Sequence, residues 1–357
     1  MTDKNRGKGL TRKKMSNMKY TLIIAVYNRL DEIKELLVSA ENLEFEREKF
    51  EMLFVDDGSD DGLESFLKGY TSISGLNLRY IAQDNMGPGE ARNNGMRNSQ
   101  SDYFIFNDSD LLYPSNYLRK IEEELQVQDY DAFGGPDDCH PSFSPLLKAI
   151  NYAMTSFIGT GGTRGGKKSI SKKFYPRSYS MGIKREVFER IGGMNKLRHG
   201  QDMDFSARIY SAGFKVGLIP EAVVFHKRRT SLKRFYKQIF NWGVARINLG
   251  KLHDGMLKPI HFVPAAIVLF TALVSILALF FDAVRPFFYL GVIFLFGILM
   301  FAFFQSFQQY KSLKTSFLSI ITLLIQVYAY GLGMWSGIIQ AAKGKKEVKG
   351  FTKDYYK

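Results

Sequence analysis

The sequence predicts an α/β domain with a mostly parallel sheet, followed by membrane helices. Up to about Leu249, short apolar, β-rich runs alternate with helical segments, a pattern typical of a sheet covered by helices on both faces. Beyond this point come three long apolar stretches without a charged residue, Phe262–Phe281, Pro286–Phe304 and Phe317–Ile339. Each is near the ~20 residues needed to cross a ~30 Å hydrocarbon core.

The predicted elements follow one another in regular order. The strands are Tyr20–Val26, Met52–Val55, Leu76–Ala82, Asp102–Phe106, Tyr130–Phe133 and, later, Ala222–Phe225. The helices are Asp31–Asn42, Leu63–Tyr70, Gly89–Arg97 (introduced by Pro88), Ser115–Gln126, Asp202–Ser211 and an amphipathic Leu232–Leu249. A patch rich in Gly, Ser, Thr and Lys, Gly159–Lys173, is predicted to be a mobile loop over the ligand site.

The amino-acid composition and net charge exclude some classes of protein. The chain has 357 residues, 45% of them hydrophobic, one cysteine (Cys139) and a formal net charge of +14. A single cysteine excludes a disulfide framework and a cysteine-based zinc site. The excess of 49 Lys and Arg over 35 Asp and Glu favours a polyanionic partner such as nucleic acid, anionic lipid or a phosphorylated substrate. Because the basic residues gather beside the apolar stretches and no nucleic-acid module is present, we expect no nucleic-acid partner.

Acidic turns follow two of the predicted strands. Asp108-Ser109-Asp110 follows the fourth strand, and Asp56-Asp57-Gly58-Ser59 follows the second. In parallel sheets ligands bind beyond the carboxyl ends of the strands, so both turns are expected at one edge. Asp108 and Asp110, two positions apart, can reach one Mg²⁺ or Mn²⁺ ion that bridges to a diphosphate. Asp57 can accept a hydrogen bond from a ribose or a base. Each turn taken alone is equally compatible with a solvated, helix-capping loop.

A glycine-containing segment begins the third helix. Gly87-Pro88-Gly89 is followed by Arg92, while the dinucleotide fingerprint requires glycine at that position. As a helix N-terminus with an arginine one turn in, the segment can help to hold an anionic donor. A plain loop-to-helix joint is the alternative.

Four of these segments, in this order, resemble the family 2 glycosyltransferases of the GT-A fold. The segments are Ile23–Asn28, Val55–Gly58, Gly87–Gly95 and Asp108–Asp110. The resemblance covers roughly Tyr20 to Leu249, and Ala25 stands where the family usually has a proline. It implies that Tyr27 lies against the nucleotide base, that Asp57 recognises the base, and that Asp108 and Asp110 form the D-x-D metal motif, with Asp110 the more direct ligand.

The later part of the domain extends the resemblance. Asp202, in Gly200-Gln201-Asp202, matches the "ED" motif whose aspartate is the catalytic base of inverting members, although Gln201 replaces the glutamate. Equally, Asp202 can simply stabilise the first turn of its helix. His226 falls where many GT-A enzymes place a histidine near the metal. Ser180-Met181-Gly182 is similar to the acceptor-side wall of the family, which implies an acceptor contact for Met181.

The amphipathic helix carries a second motif. Gln238 and Trp242 keep the spacing of the Q-x-x-R-W motif of processive polysaccharide synthases, with Asn241 in place of the arginine. The resemblance implies that Gln238 and Trp242 bind the acceptor, since a tryptophan face can stack on a sugar. The alternative is a helix that only lies on the membrane surface.

Charge beside the apolar stretches predicts topology. Basic residues between Lys227 and Lys258, Arg228 and Arg229 among them, favour a cytoplasmic catalytic domain in the inner (plasma) membrane, with several crossings. Three full crossings would place the basic tail outside, so the glycine-containing third stretch is predicted to be re-entrant or interfacial. The predicted divisions are a basic arm 1–18, a catalytic domain 19–230, a juxtamembrane helix 231–258, membrane segments 259–340 and a basic tail 341–357.

The sequence therefore predicts a membrane-anchored, inverting glycosyltransferase that depends on Mn²⁺ or Mg²⁺. The expected partners are a nucleotide-diphosphate sugar, a lipid-linked or growing glycan, membrane lipid and polysaccharide assembly proteins. Two alternatives stay open. One is a processive polysaccharide synthase, and the other is a non-catalytic membrane scaffold that binds nucleotide sugars.

Overall fold

The computed structural model describes residues 18–161, 173–227 and 230–351. Outside these residues lie the predicted basic arm up to residue 17, most of the predicted loop Gly159–Lys173, Arg228 and Arg229, and residues 352–357 of the predicted basic tail. The strands are β1 (Tyr20–Val26), β2 (Phe50–Asp56), β3 (Leu78–Ala82), β4 (Tyr103–Asp108), β5 (Leu111–Leu112), β6 (Ala132–Gly134), β7 (Asp137–Asp138), β8 (Ser180–Lys184), β9 (Val216–Leu218) and β10 (Val224–His226).

Eight helices accompany these strands in the part of the domain that the structure describes. They are α1 (Leu30–Ala40), α2 (Leu63–Gly69), α3 (Pro88–Arg97), α4 (Tyr117–Gln128), α5 (Pro145–Thr155), α6 (Phe157–Thr160), α7 (Arg185–Ile191) and α8 (Gln201–Ser211). Local sequence explains their positions: α1 buries Ile33, Leu36, Leu37 and Ala40, one face of a helix, and α3 begins at a proline.

The main sheet has seven strands in the order β3-β2-β1-β4-β8-β6-β9. Strands β1 to β4 are parallel to one another, β8 runs antiparallel to both β4 and β6, and β9 is parallel to β6. The predicted mixed, mostly parallel α/β sheet is confirmed. Alternation along β1 divides the core, because Leu22 and Ile24 pack towards α1 and α4 while Ile23 packs towards α3 and α8.

A small second sheet sits beyond the carboxyl end of β4. Its order is β5-β10-β7, with β10 antiparallel to β5 and parallel to β7. In this pairing His226 lies opposite Leu111, directly after the Asp108–Asp110 turn. The predicted β4 ended at Phe106, whereas the strand continues to Asp108, which anchors the first acid of the turn in the sheet.

Four long helices follow in the described residues 230–351. They are α9 (Leu232–Leu252), α10 (Val263–Phe280), α11 (Arg285–Tyr310) and α12 (Leu313–Ala342). Three helical segments, Pro259–Phe280, Asp282–Tyr310 and Leu313–Ala342, are long and apolar enough to cross a membrane. In the most apolar 18-residue window of each segment, only 6% and 11% of the first two are buried inside the protein, against 44% of the third. The exposed apolar surface of α10 and α11 is what a lipid-facing helix presents.

The re-entrant interpretation of the third stretch is wrong, because α12 is one unbroken helix of 30 residues. Its glycines are contact points between helices. A Cβ on Gly333 would collide with the carbonyl oxygen of Phe240 in α9, and a Cβ on Gly331 would lie 2.5 Å from the carbonyl oxygen of Pro264. Small residues allow helix backbones to approach closely, so these glycines mark packing and no break. The interfacial placement of α12 stays a prediction.

After α12 the chain turns back along α9. Residues 344–351, which we call the C-terminal strap, are held by side-chain amides. Asn248 exchanges two hydrogen bonds with the backbone of Val348, at 2.8 and 3.0 Å, and Asn241 does the same with Phe351, at 3.1 and 2.7 Å. The strap therefore lies beside the helix that joins the α/β domain to the apolar segments.

Candidate functional site

Several of the predicted site residues meet at the carboxyl edge of the parallel strands. Tyr27 follows β1, Asp57 follows β2, and Asp108 is the last residue of β4. In the sheet register Val26 lies opposite Asp56, and Ala25 lies opposite Asp108. Parallel topology thus brings the two acidic turns to one edge, as the sequence predicted.

Asp108, Asp110 and His226 form a cluster that can hold a metal ion. One ligand atom from each lies within 4.8 Å of the others. His226 Nε2 is 3.1 Å from Asp110 Oδ1 and 3.9 Å from Asp108 Oδ2. The small sheet creates this cluster, since the N–H of Lys227 donates to the carbonyl oxygen of Asp110 at 2.8 Å and fixes β10 beside the turn.

Asp137 is a site residue that sequence reasoning missed. Its side chain is completely buried, and its Oδ2 lies 3.4 Å from Nδ1 of His226, on the opposite side of the ring from Asp110. A carboxylate on the second nitrogen orients a ligating histidine and makes it a better ligand. The only sequence signal was an acidic pair, Asp137-Asp138, following the fifth predicted strand.

The carboxylates also set the protonation of the histidine. Burial disfavours the imidazolium, but Asp110, Asp137 and Asp108 outweigh that effect and raise the pKa of His226 to about 9. An excess of negative charge therefore surrounds the ring, as expected of a place that accepts a cation.

Arg92 lies at the same edge. Its side chain is nearly buried, and Nη2 donates to Asp108 Oδ1 at 2.7 Å. Its Nε is buried without a hydrogen-bond partner in the described part of the chain. A guanidinium here offsets the charge of Asp108 and presents a buried donor, a combination suited to a phosphate group.

Both carboxylate oxygens of Asp57 accept hydrogen bonds from the segment that precedes α3. Oδ1 accepts hydrogen bonds from Gln83 Nε2 at 2.7 Å and from the N–H of Met86 at 2.9 Å, and Oδ2 accepts from the N–H of Gly87 at 2.8 Å. The carboxylate thus holds the segment before α3 and positions the N-terminus of that helix. Tyr27 lies half-buried at the end of β1.

Asp202 occupies the first turn of α8, with its side chain 23% exposed. Its Oδ2 lies 3.8 Å from Nη1 of Arg177, and its Oδ1 accepts from the N–H of Met203 at 2.9 Å. The preceding Gln201 packs against Gly89 at the start of α3, where a Cβ would lie 2.5 Å from the amide nitrogen. The N-termini of α3 and α8 therefore lie side by side.

Asp204 has a different role from Asp202. It is buried, and its carboxylate contacts His253 Nε2 at 2.7 Å, Asn195 Nδ2 at 3.0 Å and Arg208 Nε at 3.2 Å. His253 immediately follows α9. Asp204 therefore connects the α/β domain to the helix that leads to the apolar segments.

The predicted acceptor residues separate in the structure. Met181 is completely buried in the core between β4 and β6, so an acceptor contact for its side chain is wrong. Gln238 and Trp242 are half-buried one turn apart on α9, and Oε1 of Gln238 is buried without a partner among the described residues. Asn241, in the arginine position of the motif, binds the C-terminal strap.

This fold and cluster define the class of protein: a GT-A-type α/β domain with a D-x-D and histidine cluster at its sheet edge, followed by three helices that could span a membrane. The profile of "Glycosyl transferase family 2" matches residues 21–192, and that of "Glycosyl transferase family 21" matches residues 175–340. Over residues 21–192 the chain is therefore similar to the family 2 glycosyltransferases.

Individual proteins agree with this assignment. The chain is 25% identical over 242 residues to glycosyltransferase AglE of Haloferax volcanii, covering 65% of this chain and 77% of AglE. It is 24% identical to the O-antigen chain rhamnosyltransferase WbaN of Salmonella anatum, over 54% of this chain and 62% of WbaN. It spans only 19% of an uncharacterized glycosyltransferase of Rickettsia felis, at 36% identity.

One solved structure has the same fold over most of the chain. The mannosyltransferase PcManGT of Pyrobaculum calidifontis, in complex with GDP-Man and Mn²⁺, superposes with a TM-score of 0.60 at 17% identity. The likeness covers 86% of both chains, so it includes helices beyond the catalytic domain.

Proposed function

We propose that this protein transfers a sugar from a nucleotide-diphosphate donor to a lipid-linked or growing glycan at the cytoplasmic face of a membrane, with inversion at the anomeric carbon. The observation that carries the proposal is the cluster of Asp108, Asp110 and His226 at the carboxyl edge of the parallel strands, beside Arg92. Donor diphosphates bind at such edges in α/β sheets.

The three candidate ligands, Asp108, Asp110 and His226, fit a divalent metal ion. Two carboxylates suit hard ions such as Mg²⁺ and Mn²⁺, and the imidazole adds a nitrogen ligand on the side facing both acids. Asp108, Asp110 and His226 would hold the ion, and Asp137 would orient the histidine. When bound, the ion supplies positive charge that stabilises the departing diphosphate. Arg92, one turn into α3, adds a fixed cation at the same edge.

Asp202 is the proposed base. Its carboxylate is partly exposed at the N-terminus of α8, next to the N-terminus of α3, and one of its oxygens is bonded only within its own turn. It would remove the proton from the acceptor hydroxyl as that oxygen attacks the anomeric carbon on the side opposite the diphosphate. Such an attack inverts the configuration. Arg177 near Oδ2 keeps this carboxylate oriented.

The apolar surface of α10 and α11 supports attachment to a membrane. The basic residues of α9 and of the strap lie on the catalytic side of these helices, which favours a cytoplasmic location. Some relatives are named for surface polymers, such as WbaN and the succinoglycan biosynthesis protein ExoA of Rhizobium meliloti. We therefore propose a cell-envelope or exported polysaccharide, built with assembly proteins, as the product pathway.

The metal role is tested by donor turnover. Purified full-length protein in lipid nanodiscs is incubated with Mn²⁺ or Mg²⁺, membrane lipid extract and a panel of nucleotide sugars, and the products are identified by mass spectrometry. We expect Asp110→Ala to abolish transfer and Mn²⁺ binding together, while the matched control Asp31→Ala, on the exposed face of α1, retains both. Unchanged transfer by Asp110→Ala would refute the assigned role.

The base is tested separately. Asp202→Asn is expected to bind donor and Mn²⁺ like the wild type while losing transfer by about 10²-fold or more. Nuclear magnetic resonance of the wild-type product then gives the anomeric configuration, and a retained configuration would contradict the mechanism. Product length on one acceptor distinguishes a single transfer from a processive synthase.

A further inference from the structure

A polar groove lies between α5–α6 and the end of α11. Its volume is about 490 Å³, within the range of small-molecule sites, ~300–1,000 Å³. Neither the motif residues that carry the family resemblance nor the proposed catalytic residues line it. The residues that line the groove therefore need an explanation separate from that of the acidic cluster.

One wall is a row of amides on α11. Gln305, Gln308 and Gln309 line the groove, and their spacing of three and four places them on one face of the helix. One turn earlier the helix surface is apolar, since Phe301 and Phe304 are each 60% exposed. The groove thus begins where the lipid-facing surface of α11 ends, at the level expected for the membrane–water interface.

The other wall combines hydroxyl groups with an exposed ring. Tyr152 and Thr155, on one face of α5, line the groove, and Phe157 follows on α6 with 63% of its surface exposed. The hydroxyl of Tyr152 donates to Gln305 Oε1 at 2.7 Å, so the two walls are joined at the base of the groove.

None of the seven described residues that line the groove is charged. A phosphate or diphosphate group is bound in proteins by cationic side chains or by helix N-termini, so neither the nucleotide nor a lipid phosphate matches this surface. Amide and hydroxyl groups offer neutral donors and acceptors, and an exposed ring offers an apolar face with polar surroundings. This combination suits the hydroxyl and C–H faces of a sugar.

We propose that this groove binds the neutral carbohydrate portion of a membrane-embedded glycolipid, which is the acceptor of the proposed reaction. The chain of contacts leads to the catalytic edge: Asn151 on α5 donates to Asp138 Oδ1 at 3.2 Å and to the hydroxyl of Tyr310 at 3.0 Å. Asp138 adjoins Asp137, which contacts the metal-cluster histidine. The inference rests on the proposed function, because it names the acceptor of that reaction.

Photolabelling tests the groove directly. Full-length protein in phosphatidylcholine nanodiscs is labelled with dodecyl glycosides (glucoside, galactoside, N-acetylglucosaminide and maltoside) that carry a diazirine beside the sugar, and labelled peptides are mapped by mass spectrometry. A probe with the same chain and a phosphocholine head reports binding of the lipid chain alone. We expect the glycosides, but not the phosphocholine probe, to label residues 152–157 and 305–309.

Variants define the groups involved. Replacing both Gln308 and Gln309 by leucine removes two neutral hydrogen-bonding groups and should reduce glycoside labelling about fivefold or more. Phe157→Ala should also reduce it, and Phe157→Trp should restore it. Gln126→Leu, an exposed glutamine on α4, is the control and should label like the wild type. Equal labelling by the phosphocholine probe, or undiminished labelling of the double variant, would overturn the inference.

The same samples separate this inference from the catalytic proposal. Mn²⁺-dependent binding of a nucleotide sugar should be unaffected by the double variant at residues 308 and 309, and Asp110→Ala should lose that binding while it retains glycoside labelling. If the wild type binds no donor yet labels in the groove, the catalytic proposal fails and the glycoside site stands. If it binds donor but no glycoside labels the groove, the acceptor site fails alone.

Discussion

Removing the Asn241 side chain should free the C-terminal strap and leave the rest of the fold intact. Asn241 is completely buried and makes two hydrogen bonds to the backbone of Phe351, at 2.7 and 3.1 Å. A typical hydrogen bond contributes about 0.5–1.5 kcal/mol, so Asn241→Ala should lower the free energy of opening the strap by about 1–3 kcal/mol. Each 1.4 kcal/mol corresponds to about a tenfold change, and the strap amides should exchange about 5- to 150-fold faster.

Hydrogen exchange measured by mass spectrometry on peptides covering residues 345–351 checks this prediction. The matched control is Asn98→Ala, whose exposed side chain bonds only to Asn94 within the end of α3. Strap exchange that stays at the wild-type rate would refute the reasoning. Faster exchange throughout α9 would also count against it, since the bonds would then stabilise the helix and not the strap.

Replacing Asn241 by the arginine of the Q-x-x-R-W motif tests the same contact in a second way. A Cβ on Gly350 would already collide with Oδ1 of Asn241, so no space remains for a longer side chain. Asn241→Arg should therefore open the strap at least as far as Asn241→Ala does. Closed-strap exchange rates in Asn241→Arg would show that the strap does not depend on this contact.

Three further outcomes are expected. Asp137→Asn should weaken Mn²⁺ binding, followed by electron paramagnetic resonance, by about 10–100-fold, whereas Asp138→Asn, its exposed neighbour on β7, should not; equal effects would refute the orienting role. Gly333→Ala should destabilise the helix bundle by about 1–3 kcal/mol in detergent unfolding, whereas Gly297→Ala, which meets open space, should be neutral or stabilising. Partial burial opposes the charge of Glu41, but hydrogen bonds from the loop after α2 lower its pKa to about 2. Glu41→Gln should therefore lower the melting temperature at pH 7. The difference in melting temperature between the variant and the wild type should shrink as the pH falls from about 4.5 towards 2.

Much of the catalytic edge was predictable because it depends on local pattern and topology. The strand ending at Asp108 and the one ending at Asp56 are apolar runs followed by acids. Parallel pairing places their carboxyl ends at the same edge whatever the details of packing. The prediction for Met181 was wrong because the direction of its side chain is not set by local pattern. Motif similarity identified the strand, but only the alternation within the sheet decided that this side chain points into the core.

The glycines of α12 are a second feature that the sequence alone did not decide. In the sequence, Gly331 and Gly333 among polar residues are equally compatible with a broken helix and with a tightly packed one. The structure distinguishes these possibilities because the partners of these glycines lie on two other helices, Phe240 on α9 and Pro264 in the first turn of α10. Which neighbour approaches a glycine is a property of the bundle and cannot be inferred from the helix alone.

The amino-acid sequence by itself determined the class of fold, the acidic turns at one sheet edge and three apolar segments, because each depends on residues close together in the chain. Tertiary structure decided which distant groups meet. Asp137 reaches His226 through the pairing of two short strands, and Asn241 reaches Phe351 across 110 positions. Such contacts depend on the register and packing of whole elements, which short-range pattern does not specify.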